Sequence, residues 1–166
     1  MEVIVDTNIL IDAIFDQLNC EDCWEILHLI RKKDITPIMS KGLLKEYIFI
    51  PSKVVINALI KTLNQKGFID SVVEELMATL YDCYSDVCEM IINNSKIVNV
   101  SSRGKFCIED PEDNKIINLA IDSDCPIIIT KNDRHFECVY HKQIKTCTGK
   151  QIEIYNPNNF INMMRR

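Results

Sequence analysis

The amino-acid sequence predicts an α/β protein built around a mostly parallel β-sheet. Two observations favour this class. Short strand-like runs alternate with longer stretches in which apolar residues recur at helical spacing. The strand-like runs, of which Val3 to Val5 and Ile127 to Ile129 are the clearest, are also apolar along their whole length. Continuous apolar runs are typical of parallel strands that helices cover on both faces.

The length and composition indicate one globular domain. The chain has 166 residues, of which 47% are hydrophobic and 26% charged, and its formal net charge is −5. This charge argues against a non-specific basic coat for nucleic acid, but it is compatible with a nuclease whose carboxylates bind cations. No apolar run approaches the ~20 residues that span a membrane, and the acidic start at Met1-Glu2 does not resemble a signal peptide. We therefore expect a cytoplasmic protein without a membrane partner.

The eight cysteines are mostly scattered. Cys20 and Cys23 form one CxxC pair, but there is no second such pair and no histidine pair at the spacing of zinc ligands. We expect reduced thiols, as is usual in the cytoplasm, and do not favour a zinc or redox role for the pair.

The predicted elements follow in order along the chain. Apolar spacing predicts helices over residues 9–15, 21–32, 43–47, 54–64, 71–92, 113–123 and 157–164. Strands are expected within 3–5, 35–39, 97–100 and 126–130, with one or two short edge strands in 144–155. Ser40 and Asp110 are the expected N-caps of the helices that follow them, and Pro111 fits a first helical position.

Polar residues stand where the strands end. Asp6 and Asn8 follow the first strand, and Glu46 lies in the helix after the second. Asp110 and Asp113 open the helix after the third strand, and Asn132 and Asp133 follow the fourth. The carboxyl ends of parallel strands meet at one edge of a sheet, where ligands bind. Carboxylates gathered there would repel one another without cations, and Mg²⁺ is a hard cation that such oxygens hold. Two such ions can activate a water in phosphodiester hydrolysis.

Each of these residues also has a structural alternative. Asp6 could cap the first helix, and Asp110 with Asp113 could form a capping arrangement. Glu46 could be an ordinary exposed helix carboxylate. Asp133 is favoured as a turn or cap residue rather than as a ligand.

The motifs, taken in order, resemble those of the PIN domain family of metal-dependent ribonucleases. They are Val5-Asp6-Thr7-Asn8-Ile9-Leu10, Ser40 with Glu46, Asp110-Pro111 with Asp113, Ile116 and Ala120, and Ile129-Thr130 with Asn132 and Phe136. The resemblance runs from about residue 3 to 160. It implies a three-layer α/β/α sandwich in a single domain, 1–166, with a helical insertion at about 52–93.

The resemblance also implies roles for individual residues. Asp6 would be the first ligand of Mg²⁺ or Mn²⁺, supported by Asn8, with Glu46 and Asp113 as the second and third acidic residues. Thr130 would match the family's hydroxyl at the strand end, which orders the site or its water.

The fourth acidic position departs from the family pattern. Asn132 stands where many members have a carboxylate, and Asp133 is next to it. Either residue could fill the position, so the sequence leaves open whether one or two metals bind.

The expected function is a metal-dependent endoribonuclease that hydrolyses RNA phosphodiester bonds. Four cations stand near the motifs and could meet phosphates, namely Lys41, Lys45, Lys131 and Arg134. The alternative is a catalytically degraded PIN-fold module that binds RNA or a protein partner, and Asn132 favours it. A nuclease acting on DNA is a third reading. Many family members are toxins of toxin–antitoxin pairs, so an antitoxin protein and a homodimer are further partners that the resemblance implies.

Overall fold

The sheet has β1 at its centre. The computed structural model describes residues 1–15, 20–49, 70–107 and 111–166. Its strands are β1 (Glu2–Val5), β2 (Thr36–Met39), β3 (Lys96–Ile97), β4 (Ile127–Ile129) and β5 (Glu153–Tyr155). They lie in the order β3-β2-β1-β4-β5, and every strand pairing in the described part of the chain is parallel. The predicted α/β class is confirmed.

Helices connect successive strands. They are α1 (Thr7–Phe15), α2 (Glu21–Lys32), α3 (41–49), α4 (Asp70–Asn93), α5 (Asn114–Ser123), α6 (Glu137–His141) and α7 (Pro157–Met164). Single 3₁₀ turns, Pro111–Asp113 and Asp133–Phe136, precede α5 and α6. The arrangement is consistent with a three-layer α/β/α sandwich. None of the described helices is both long and apolar enough to cross a membrane.

The core lies around the two central strands. Val3 and Ile4 of β1 and Ile128 and Ile129 of β4 are fully buried. Helix α2 buries one face, formed by Cys23, Ile26, Leu27 and Ile30. A sheet covered in this way explains why its strands read as continuous apolar runs.

Some predicted boundaries differ from the observed ones. Helix α1 begins at Thr7 rather than residue 9, because the carbonyl of Asp6 already accepts the N–H of Ile9 at 3.1 Å. Strand β3 covers Lys96–Ile97 rather than the predicted 97–100. Beyond it, the Asp122 carboxylate accepts the N–H groups of Ser101 and Ser102 at 2.5 and 2.8 Å.

Strand β5 is a parallel edge strand, preceded by an isolated antiparallel bridge between Lys145 and Gln151. Of the predicted helical insertion at 52–93, only the part from residue 70 is described, and it forms α4. The predicted helix at 54–64 lies outside the described residues.

Candidate metal centre

The carboxylate of Asp6 lies at the carboxyl end of β1. Its Oδ2 accepts hydrogen bonds from Asn8 Nδ2 at 2.8 Å and from Thr130 Oγ1 at 2.7 Å. Strands β1 and β4 are paired with Val5 opposite Ile129, so the next residue of each strand, Asp6 and Thr130, comes to the same point of the sheet edge. The parallel register therefore brings together Asp6, Asn8 and Thr130, three residues that the sequence analysis proposed for the site. We call these hydrogen-bonded residues the Asp6 network.

Further hydrogen bonds fix this network. The fully buried Thr130 donates its hydroxyl to Asp6 and accepts the N–H of Asn132 at 3.0 Å. Asn8 donates its amide to Asp6 and accepts the N–H of Lys131 at 3.4 Å. Because each polar group has a defined partner, the Asp6 carboxylate is held in one orientation.

The environment of Asp6 raises the pKa of its carboxyl. Burial is the main cause, and the negative charge of Glu46 adds to it. Hydrogen bonds from Thr130 and from the backbone N–H groups of Thr7 and Asn8 act in the opposite direction without cancelling the rise. The protein alone therefore does not fully stabilise the ionised carboxylate. Two neighbouring carboxylates and a hydroxyl are hard oxygen donors, so these residues fit Mg²⁺ or Mn²⁺.

Glu46 is carried by α3, which begins at the predicted cap. Ser40 Oγ accepts the N–H of Leu43 at 3.1 Å, so that prediction is confirmed. The Glu46 carboxylate forms an ion pair of 2.9 Å with Lys115 of α5. It thus lies between the Asp6 network and α5.

Tyr47 fixes the position of α3 against β1, and the sequence analysis missed it. Its hydroxyl donates a 2.6 Å hydrogen bond to the carbonyl of Val5, the residue before Asp6. The carbonyl of Tyr47 in turn accepts the hydroxyl of Tyr84 from α4. Burial and the nearby charge of Asp6 raise the pKa of Tyr47 well above its ordinary value, so it remains a donor. The spacing could have revealed it, because Tyr47 lies four residues after the apolar Leu43 and therefore on the same face of the helix.

Asp113 ends the 3₁₀ turn before α5 and faces His135. Their closest atoms, Oδ2 and Nδ1, lie 3.2 Å apart, and only 14% of the Asp113 side chain is exposed. Asp110 lies outside the described residues. The structure does not gather Asp6, Glu46 and Asp113 into a tight cluster: within the described ranges, the group whose ligand atoms all lie within 4.8 Å consists of other residues. Since Mg²⁺ keeps several waters, a wider arrangement can still hold it.

Two buried asparagines of α5 hold the segment before Asp113. Asn114 Oδ1 accepts the N–H groups of Phe106 and Cys107 at 2.6 and 2.9 Å. Asn118 accepts the N–H of Gly104 at 2.9 Å and donates to its carbonyl at 3.0 Å. Sequence reasoning missed both, although two amides four residues apart on an apolar helix face were visible in the sequence.

Asn132 and Asp133 follow β4 in an exposed turn. Asn132 contributes its backbone, through its N–H to Thr130 and its carbonyl to the N–H of His135 at 3.0 Å. The Asp133 carboxylate accepts the N–H of Arg134 at 2.9 Å. This contact matches the turn role that the sequence analysis favoured for Asp133.

One sequence-based expectation is wrong. The structure joins Cys20 and Cys23 in a disulfide, whereas reduced thiols were expected. The two residues are the N-cap and the third residue of α2, so their side chains lie on the same helical turn.

The parallel sheet and the acidic network at its carboxyl edge define an α/β protein with an oxygen-donor site. A family model described as PIN domain matches residues 2–134. The chain belongs to the PIN domain family, whose members are generally nucleases. The resemblance inferred from the motifs is thereby confirmed. No curated protein and no solved structure matches the chain.

Proposed function

We propose that this PIN domain is a Mg²⁺- or Mn²⁺-dependent endoribonuclease acting on RNA in the cytoplasm. The observation that carries the proposal is the Asp6 carboxylate, held by Asn8 and Thr130 with Glu46 nearby. A bound ion would supply an activated water and stabilise the leaving oxygen. Asp6 would be its first ligand, with Glu46 and Asp113 completing the acidic set.

The chain's own residues prepare this site before substrate arrives. Thr130 and Asn8 fix Oδ2 of Asp6, so the carboxylate does not have to reorganise when a ligand binds. Lys115 partly neutralises Glu46 through their 2.9 Å ion pair. Asn132 or Asp133 would supply the fourth position, as a neutral or a charged oxygen donor.

A basic groove beside Glu46 supports a nucleic-acid substrate. It has a volume of about 440 Å³, lies between the start of α3, the segment 98–104 and α5, and is lined by Lys41, Arg103 and Lys115. None of the described residues that line it is a carboxylate, although the chain as a whole carries a net charge of −5. Because Lys115 also contacts Glu46, the groove adjoins the acidic site. Cations in such a groove can neutralise the phosphates of a single strand.

The alternative proposal is a PIN-fold module that binds RNA or a protein partner without cleaving it. Asn132, in place of a carboxylate, is the observation that favours it. Three expectations stay predictions: a toxin role, an antitoxin protein as its partner, and a homodimer.

The proposal is tested by measuring the cleavage of a single-stranded RNA and, separately, of a DNA strand with the same sequence. We expect the wild-type chain to cleave RNA with Mg²⁺ or Mn²⁺ and to stop when a chelator is added. Asp6→Asn should abolish cleavage, whereas Asp86→Asn, at an exposed position of α4, should not change it. Cleavage that persists with chelator or in Asp6→Asn would refute the metal mechanism. RNA binding without turnover would favour the alternative, and cleavage of DNA alone would assign the other substrate.

A further inference from the structure

The start of α2 places two cysteines beside a carboxylate of α1. The ligand atoms of Asp12, Cys20 and Cys23 all lie within 4.8 Å of one another, an arrangement that could hold a metal ion. Cys23 is fully buried and Cys20 is only 7% exposed. The group is separate from the Asp6 network.

Two sulfurs and one carboxylate are a ligand set for Zn²⁺ rather than for Mg²⁺. Zinc takes cysteine thiolates together with nitrogen or oxygen donors in tetrahedral geometry, and three protein ligands leave one position for water. The positive end of the α2 dipole favours thiolates at its first turn. We propose that Asp12, Cys20 and Cys23 form a binding site for a borderline-soft divalent cation, Zn²⁺.

The site forms in the reduced protein. In the structure the two Sγ atoms are joined in a disulfide. Two molecules of a low-molecular-weight thiol together supply two electrons and two protons, which break this bond and give two protein thiols, while the two molecules are joined in a disulfide. Each thiol releases its proton when its sulfur binds the cation. The disulfide and the metal-bound form are therefore alternative states of the same pair.

Asp12 connects this site to the acidic network. Its Oδ2 forms an ion pair of 2.5 Å with Nζ of Lys131. Lys131 directly follows Thr130, and its N–H is bonded to Asn8. A cation bound to Asp12 competes with Lys131 for this carboxylate. Metal binding therefore releases the Lys131 ammonium group from its ion pair with Asp12, and Lys131 directly follows Thr130, which bonds Asp6.

Cobalt titration of the full chain tests the proposal without relying on nuclease activity. The protein is reduced with a phosphine, freed of reductant and titrated with Co²⁺, whose bonds to thiolates absorb in the near ultraviolet. We expect this absorption to saturate at one equivalent and to disappear when Zn²⁺ is added. It should be lost in Cys20→Ser and in Cys23→Ser, and Asp12→Asn should weaken binding by about 10-fold or more. Cys147→Ser, at an exposed free cysteine, should leave it unchanged.

Two controls keep the outcome decisive. Alkylation followed by mass measurement shows whether Cys20 and Cys23 are reduced, and circular dichroism shows whether each variant is folded. Reduced protein without the absorption overturns the proposal, as does a pair that resists reduction. Absorption that survives in both cysteine variants also overturns it, because the metal is then held by other thiols. Since Cys23 is fully buried, Asp12→Asn, at a side chain 26% exposed, gives an independent test if Cys23→Ser does not fold.

Discussion

The hydroxyl of Thr130 donates a 2.7 Å hydrogen bond to Oδ2 of Asp6, across 124 residues of sequence. It also accepts the N–H of Asn132, so one buried hydroxyl joins the ends of β1 and β4 to the turn that follows β4. Removing this hydroxyl leaves the Asp6 carboxylate and the N–H of Asn132 each short of a partly buried hydrogen bond.

We expect Thr130→Val to lower both stability and activity. The variant keeps the shape of the side chain but not its hydroxyl, which should cost about 1–3 kcal/mol of unfolding free energy. Urea denaturation measures this change, and RNA cleavage measures the loss of orientation at Asp6. Thr130→Ser, which restores the hydroxyl, should recover most of both. A larger loss in Thr130→Ser than in Thr130→Val would mean that packing of the methyl group, not the hydrogen bond, is what matters.

Asp6→Asn should be inactive yet more stable than the wild type at neutral pH. The folded-state pKa of Asp6 is raised by burial and by Glu46, so the folded protein holds this proton more tightly than the unfolded chain does. Stability is therefore lost as pH rises from the ordinary aspartate pKa through the raised one. Asparagine never ionises and avoids this loss. Thermal unfolding without divalent cations at neutral pH should give a higher Tm for the variant, and a lower Tm would contradict the assigned electrostatics.

Asp124 gives the opposite pH dependence. Lys150 is the main cause that holds the pKa of Asp124 well below its usual range, with the hydroxyls of Thr146 and Thr148 adding to the effect. The stabilisation from this depressed pKa is fully present above the unfolded pKa of about 4 and is lost as pH falls below it. Asparagine tolerates the left-handed backbone at this position, where φ is 56°. Asp124→Asn should therefore destabilise at pH 7, and the difference in Tm from wild type should shrink in acid.

Tyr47→Phe should destabilise the protein and reduce cleavage together. It leaves the carbonyl of Val5 without its 2.6 Å hydrogen bond, at a cost of about 1–3 kcal/mol. It also loosens α3, which carries Glu46. Tyr155→Phe is the matched control, because that hydroxyl bonds an exposed glutamate. Urea denaturation and RNA cleavage assays should show losses in Tyr47→Phe but not in Tyr155→Phe. Identical behaviour of the two variants would show that the Tyr47 hydroxyl does not support the site.

Arg103→Ala should weaken RNA binding in a salt-dependent way. If Arg103 meets one phosphate, its loss lowers the slope of log affinity against log salt by about 0.7 for a single strand. Fluorescence anisotropy in the presence of chelator measures binding apart from cleavage. Arg31→Ala, at an exposed residue on the last turn of α2, should keep the wild-type slope. An unchanged slope in Arg103→Ala would exclude the groove as the path of the strand.

The sequence predicted what depends on local pattern. Apolar runs located β1 and β4, and the polar residues after them pointed to Asp6 and Thr130, which the structure places in contact. Ser40 was predicted as a cap because capping depends on neighbouring residues alone.

Contacts between distant segments could not be read in the same way. The hold of Asn114 on the segment before Asp113 and the bond from Tyr47 to Val5 require the folded packing. The hold of Asp122 from α5 on the N–H groups of Ser101 and Ser102, which follow the short strand β3, depends on the same packing. The disulfide was missed because the compartment, not the helical geometry, guided the prediction.

The position of β1 has a consequence for biosynthesis. The central strand β1 is synthesised more than a hundred residues before β4 (Ile127–Ile129), its neighbour at the site. Until β4 is made, Asp6 lacks the hydroxyl that orients it. A nascent chain therefore carries Asp6 long before the pocket around that residue can assemble. Fragments that end before β4 should lack the assembled site.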